Sequence, residues 1–196
     1  MKITVELENN KQLDKFIEHI NEFEKINPDI KFRRLKLRFR YDMKSSGEFE
    51  DSNPNTISIN PGRCDKTGEF SFFRICIHEF SHLLDKKLKI DKQYKQCLLN
   101  ATLYLTNYAK KTHCVTEEIA EIISCYLLNP YLLKLISIKH YDFISKFFKS
   151  TVPCTKEYFL SIYERYSPKY RNSIIKKYGI NIDNNKIYKN GLLFNQ

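Results

Sequence analysis

The chain has 196 residues, of which 42% are hydrophobic and 14% aromatic, with only 5 Gly and 6 Pro. That is enough to bury a sizeable core, and it excludes collagen-like, low-complexity and wholly disordered chains. The net charge of +10 rests on 25 Lys against 8 Arg; nucleic-acid readers lean on Arg, so the charge reads first as a solvated surface, with nucleic acid a disfavoured partner.

No apolar run approaches the length that spans a bilayer, so no membrane partner is expected. The opening MKITVELENN has no apolar stretch of the kind a secretory signal carries, and a reducing cytoplasm is the expected setting. The six cysteines (Cys64, Cys76, Cys97, Cys114, Cys125 and Cys154) form no C-x-x-C pair. Cysteine-based zinc ribbons need such pairs, and disulfide frameworks serve smaller secreted domains, so all six read as free thiols.

Along the chain, residues 2–7 alternate weakly and suggest a strand. Residues 11–26 carry Leu13, Phe16, Ile17, Ile20 and Phe23 at helical spacing. Asn27-Pro28-Asp29 breaks that helix. Residues 32–41 alternate cleanly, with Leu35, Leu37, Phe39 and Tyr41 on one face and Lys36, Arg38 and Arg40 on the other. This is a half-buried strand with a basic outer face. Residues 44–55 are polar and read as an exposed loop. Residues 56–60 form a short strand closed by Pro61-Gly62.

From residue 70 the pattern turns helical, over 70–88, 91–110, 116–128 and several segments between 131 and 178. Asp183-Asn184-Asn185 and Asn190-Gly191 in the tail suggest a small hairpin or a surface wrap. The order is strand, helix, strand, strand, then helices. It predicts an α+β domain rather than alternating βαβ units: a small N-terminal sheet with an edge strand, and a mostly helical C-terminal part. One domain over 1–196 is expected, with a strand/helix/strand part (1–62), a central helical part (63–130) and a C-terminal helical part (131–196).

One segment carries chemistry. His78-Glu79-Phe80-Ser81-His82 is an H-E-x-x-H motif inside an apolar, helix-period stretch. Residues four apart on a helix lie about 40° apart around it, so His78 and His82 share an edge and can chelate one ion. Glu79 projects from an adjacent edge, placed to act as a base without binding metal. With 5 His and 14 Glu, chance produces this motif in roughly one percent of shuffled chains. The plain alternative is a buried helix whose His and Glu are satisfied by other side chains.

Two histidines make a weak site, and a third ligand is sought downstream. In residues 115–130, Ile119, Ile122, Ile123, Tyr126 and Leu127 form an apolar face, with Glu117, Glu121 and Ser124 along another edge. Glu117 is the candidate third ligand. Glu121, one turn on, is the candidate acceptor for a ligand imidazole. Acids in a first helical turn are also ordinary complements of the helix dipole, and that reading stands beside the first. Asp85 is expected to brace the motif helix without binding metal, and His19 and His140 read as ordinary histidines.

These two segments resemble the gluzincin branch of zincin metallopeptidases, with H-E-x-x-H followed by E-x-x-A. His78–Asp85 resembles the HEFGHxxD segment of anthrax lethal factor-like catalytic domains, and Glu117-Glu118-Ile119-Ala120-Glu121 resembles their E-x-x-A-E segment. Residues 117–130 also resemble the ExxAnxFAxxLLMP signature of the ImmA/IrrE family. Ser81 departs from the usual Gly, Glu121 from Asn and Asn129 from Met.

The resemblance implies a zincin-like fold and a Zn²⁺ ion on His78, His82 and Glu117. It implies Glu79 as general base in hydrolysis of a protein or peptide substrate. It also implies a strand edge that pairs with the substrate backbone, for which residues 56–60 are the candidate. An oxyanion-stabilising Tyr or His is expected as well; Tyr108 and His113 are near in sequence, at other spacings. If the chain is closer to SprT-like proteases, His113 is the alternative third ligand. The alternative function is a regulatory domain of ImmA/IrrE type, acting through protein or DNA partners with little proteolysis.

Overall fold

A computed structural model describes residues 2–5, 11–32, 34–50, 55–64, 71–98, 103–105, 107–165 and 168–194. Chain order runs β1 (Lys2–Val5), α1 (Lys11–Ile26), β2 (Arg34–Phe39), β3 (Gly47–Phe49) and β4 (Thr56–Ile59). The helices α2 (Phe72–Leu88), α3 (Ile90–Leu98), α4 (Asn107–Thr112) and α5 (Val115–Leu128) follow. Next come α6 (Pro130–Ile136), α7 (Ile138–Ile144), α8 (Lys156–Tyr163) and α9 (Pro168–Tyr178), then β5 (Ile180–Asp183), β6 (Lys186–Lys189) and β7 (Leu192–Leu193). The chain is mixed α+β, as expected.

Four strands form a sheet in the order β1-β2-β4-β3. β1 and β4 run parallel to β2, and β3 is the antiparallel edge. β1 and β2 are joined through α1, so the sheet does contain one parallel crossover of the kind the element order argued against. The tail is a three-stranded antiparallel sheet, β5-β6-β7.

Helix α1 follows its apolar spacing residue for residue. Phe16, Ile20 and Phe23 are fully buried, and the rings of Phe16 and Phe23 meet Phe80 of α2 edge-on. Phe72 at the start of α2 meets Phe39 of β2. α2 is therefore held against both α1 and the sheet. Its other side packs on α5, whose Ile119, Ala120, Ile122, Ile123 and Leu127 are buried completely. A smaller apolar cluster, including Leu132, Phe159, Ile174, Ile180 and Ile187, joins α6, α8 and α9 to the tail sheet. Cys125 of α5 packs against both clusters.

Several expectations are corrected. The strand at 56–60 is not an edge: β4 lies between β2 and β3, and all four of its residues are buried. The edge is β3, inside the segment read as loop, where only three residues pair and the polar flanks hide the pattern. Tyr41 lies two residues beyond the end of β2 and is 68% exposed, so alternation no longer governs its direction. The helix over 91–110 is two helices, with the non-helical residues 103–105 among those between them. The start of the expected 70–88 helix, residue 70, lies outside the described residues.

Candidate metal centre

The α2–α5 contact brings the two motif segments together. Ser81 donates to the Ile77 carbonyl at 2.7 Å, and its oxygen lies 3.0 Å from the Ser124 hydroxyl on α5. The departure from glycine at 81 is thus accommodated by a small polar contact between helices. One turn away, His78 Nε2 lies 3.2 Å from His82 Nε2 and 3.2 Å from Glu117 Oε2. Glu117 Oε1 lies 3.5 Å from His82 Nε2.

These distances test whether the three residues suit zinc. Tetrahedral ligands at zinc–nitrogen and zinc–oxygen distances near 2.0–2.1 Å stand about 3.3 Å from one another. The two imidazole nitrogens stand at that spacing, each has one Glu117 oxygen within 3.5 Å, and one ligand atom from each residue lies within 4.8 Å of the others; two imidazoles and a carboxylate are a donor set that suits a catalytic zinc. Their side chains are 19%, 14% and 20% exposed, so solvent reaches the cluster. Glu121 Oε1 lies 3.5 Å from His78 Nδ1, on the far side of the ring from Glu117. This is where a carboxylate fixes the tautomer and orientation of a ligand imidazole.

The electrostatics follow from close packing of bases and acids. Burial opposes the imidazolium of His78, but the hydrogen bond with Glu117 and the charges of Glu121 and Glu79 outweigh it. The pKa of His78 is pushed up to about 9. Burial also opposes the Glu117 carboxylate, yet its bonds to His78 and His82 hold its pKa well below the usual carboxylate range. The same burial, only partly offset by the two histidines, raises the pKa of Glu79.

Glu79 leaves α2 about 100° around from His78, packs against Gly47 of β3 and has its carboxylate toward the Phe49 backbone. Asp85 accepts from the Asp91 N–H at 2.7 Å, bracing the start of α3, and burial pushes its pKa up to about 6. His113 does not join the cluster. It is exposed, at φ 48°, with Nδ1 3.5 Å from the Tyr104 hydroxyl. The Tyr108 side chain lies outside the described residues.

Two features escaped the sequence. Glu118, next to Glu117, is 1% exposed and accepts from the Tyr94 hydroxyl and the Leu103 N–H. Nothing in its spacing distinguishes it from a first-turn surface acid. Gly47 packs against Glu79, and a lone Gly in a polar segment carries no signal of that contact. The basic face of β2 is met by acids: Arg38 pairs with Glu50 at 3.4 Å and Arg40 with Asp42 at 2.9 Å. The six cysteines are all free thiols.

Compared with protein-family models, curated proteins and solved structures, the chain matches none. Among the described residues, no helix is long and apolar enough to cross a membrane.

Proposed function

We propose that this chain is a zinc-dependent endopeptidase of the gluzincin type, with a zincin-like fold, acting on protein or peptide substrates in the cytoplasm. The observation that supports the reading is the convergence of His78, His82 and Glu117, from segments 39 residues apart, with one ligand atom of each within 4.8 Å of the others. His78, His82 and Glu117 hold the metal, and Glu121 orients His78. Bound there, zinc supplies Lewis-acid polarisation of a water molecule and of the scissile carbonyl.

Glu79 takes the proton of the attacking water on a carboxylate oxygen and delivers it to the leaving amine nitrogen. Its raised pKa makes the carboxylate a stronger proton acceptor than a solvated glutamate. The margin of the sheet beside Glu79 is β3, so β3 rather than β4 is the candidate strand for an extended peptide, through the outward groups that Glu79 does not occupy. The alternative, a regulatory domain that binds DNA through the basic face of β2, is disfavoured by the carboxylates already paired with Arg38 and Arg40.

The test is metal analysis and peptide hydrolysis on wild-type protein and on Glu79→Gln. Zinc stays bound in both, and hydrolysis falls by about 10²–10⁴-fold or more in the variant. Hydrolysis that survives removes Glu79 from the mechanism. Wild-type protein that takes up no zinc ends the reading.

A further inference from the structure

Glu79 is 6% exposed, and its carboxylate faces the backbone of β3. The Ser46 carbonyl accepts from Asn60 N–H, and Glu50 N–H donates to the Thr56 carbonyl. Glu48 stands opposite Ser58 between them. Bonded residues alternate along an antiparallel ladder, so the backbone groups of Gly47 and Phe49 face away from β4. The outward Phe49 N–H faces the Glu79 carboxylate.

Gly47 comes closer still. A Cβ there would stand 2.5 Å from Glu79 Oε1, 2.9 Å from Glu79 Cγ and 2.7 Å from Ile75 Cγ2. Non-bonded carbon atoms rest near 3.5–4.0 Å, so a methyl group at 47 forces a neighbour to move. Gly47 is not among the residues of positive φ. Its backbone conformation suits any residue; the approach of Glu79 and Ile75 is what requires glycine.

We propose that Gly47 and the outward N–H of Phe49 form a backbone seat that positions the Glu79 carboxylate, making Gly47 a positioning residue for the hydrolytic reaction. This rests on the peptidase reading above and adds to it. The edge strand fixes the base through backbone that Glu79 covers. A side chain at 47 swings Glu79 away from its seat, and misplacement by about 1 Å costs on the order of 10²-fold in rate.

Gly47→Ala, Glu79→Ala and the double variant, compared with wild type, test the seat. Zinc content, peptide kinetics and thermal melting are measured on each zinc-loaded protein. Gly47→Ala is expected to keep its zinc and to hold KM within about threefold, while kcat falls by on the order of 10²-fold. The loss of melting temperature caused by Gly47→Ala is expected to shrink by about half or more in the Glu79→Ala background. The Ile75 contact is common to both backgrounds, so the difference reads the Glu79 contact alone.

Should Gly47→Ala fail to fold, a folded double variant supports the seat and an unfolded one overturns it. Equal melting losses in the two backgrounds overturn the proposal, as does a kcat within about threefold of wild type, and either leaves the peptidase reading standing. Wild-type protein that holds zinc and cuts no peptide overturns the peptidase reading instead, and the melting comparison still decides the seat.

Discussion

Glu117 and Glu118 are neighbours in sequence, about 100° apart around α5, and they enter two unlike polar clusters. Around Glu117, the carboxylate meets His78 at 3.2 Å through one oxygen and His82 at 3.5 Å through the other, in a partly exposed cleft. Around Glu118, donors and acceptors alternate. The Tyr94 hydroxyl donates to Glu118 at 2.6 Å and lies 3.0 Å from His140 Nε2, whose Nδ1 lies 2.7 Å from the Ser137 hydroxyl. Burial and Glu118 push the pKa of the Tyr94 hydroxyl up, so it stays a donor.

Glu118, Tyr94 and His140 are each no more than 2% exposed. The second cluster is closed, since each group finds a partner of the opposite kind inside the fold, and a buried polar network of that sort fixes structure. The first is open to solvent, and its two imidazoles and carboxylate can exchange the proton they share for a cation. Both contain a glutamate and a histidine, so residue type does not separate a candidate metal site from a core network. The arrangement of donors and the access of solvent do.

The largest expected break of that contrast is Glu117→Ala. On the zinc peptidase reading it removes one of three ligands, so zinc affinity is expected to fall by on the order of 10³-fold or more and hydrolysis with it, as competition against a chromogenic chelator will report. Glu118→Ala is expected to leave zinc stoichiometry unchanged. It costs about 2–4 kcal/mol of folding stability in urea titrations, because the Tyr94 hydroxyl and the Leu103 N–H lose a buried acceptor. If both variants lose zinc equally, the two clusters are not separate.

Glu121→Ala is the intermediate case. The contact with His78 Nδ1 is lost and the ligand set is kept, so zinc affinity falls by about 10–100-fold with the fold intact. The smallest effect sharpens the comparison with a histidine outside both clusters. His19 lies against Phe73 and Thr151, and burial lowers its pKa from 6.5 to about 4.

A depressed histidine is neutral in the fold and protonates more readily in the unfolded chain. Its stability contribution is therefore present above pH 6.5 and lost as pH falls toward 4. The loss is at most about 1.4 kcal/mol per pH unit. His19→Gln should flatten that slope relative to wild type, in melting curves taken across the window. An unchanged slope would assign the acid sensitivity to other groups.

Helix α1, the motif helix α2 and the ligand helix α5 were legible in the sequence because each repeats its apolar residues at a helical period over many turns. So were His78, Glu79 and His82, whose spacing places them on one helix whatever the fold around it. The edge strand was not legible. Three residues of β3 carry no period, and β4 reads as a strand whether it lies inside the sheet or at its margin. Pairing on its second side is a relation to a partner that local pattern does not contain.

The composition and the i, i+4 histidines by themselves determined a helix able to offer two imidazoles to one ion, because backbone geometry fixes that presentation. Whether Glu117 would turn toward those rings, and Glu118 toward Tyr94, was decided only by how α5 rolls against α2. That rotation is set by Ala120, Ser81 and Ser124 permitting close approach and by the buried isoleucines choosing a face. Long-range packing selects among the faces a helix makes available, and no single stretch of chain holds that information.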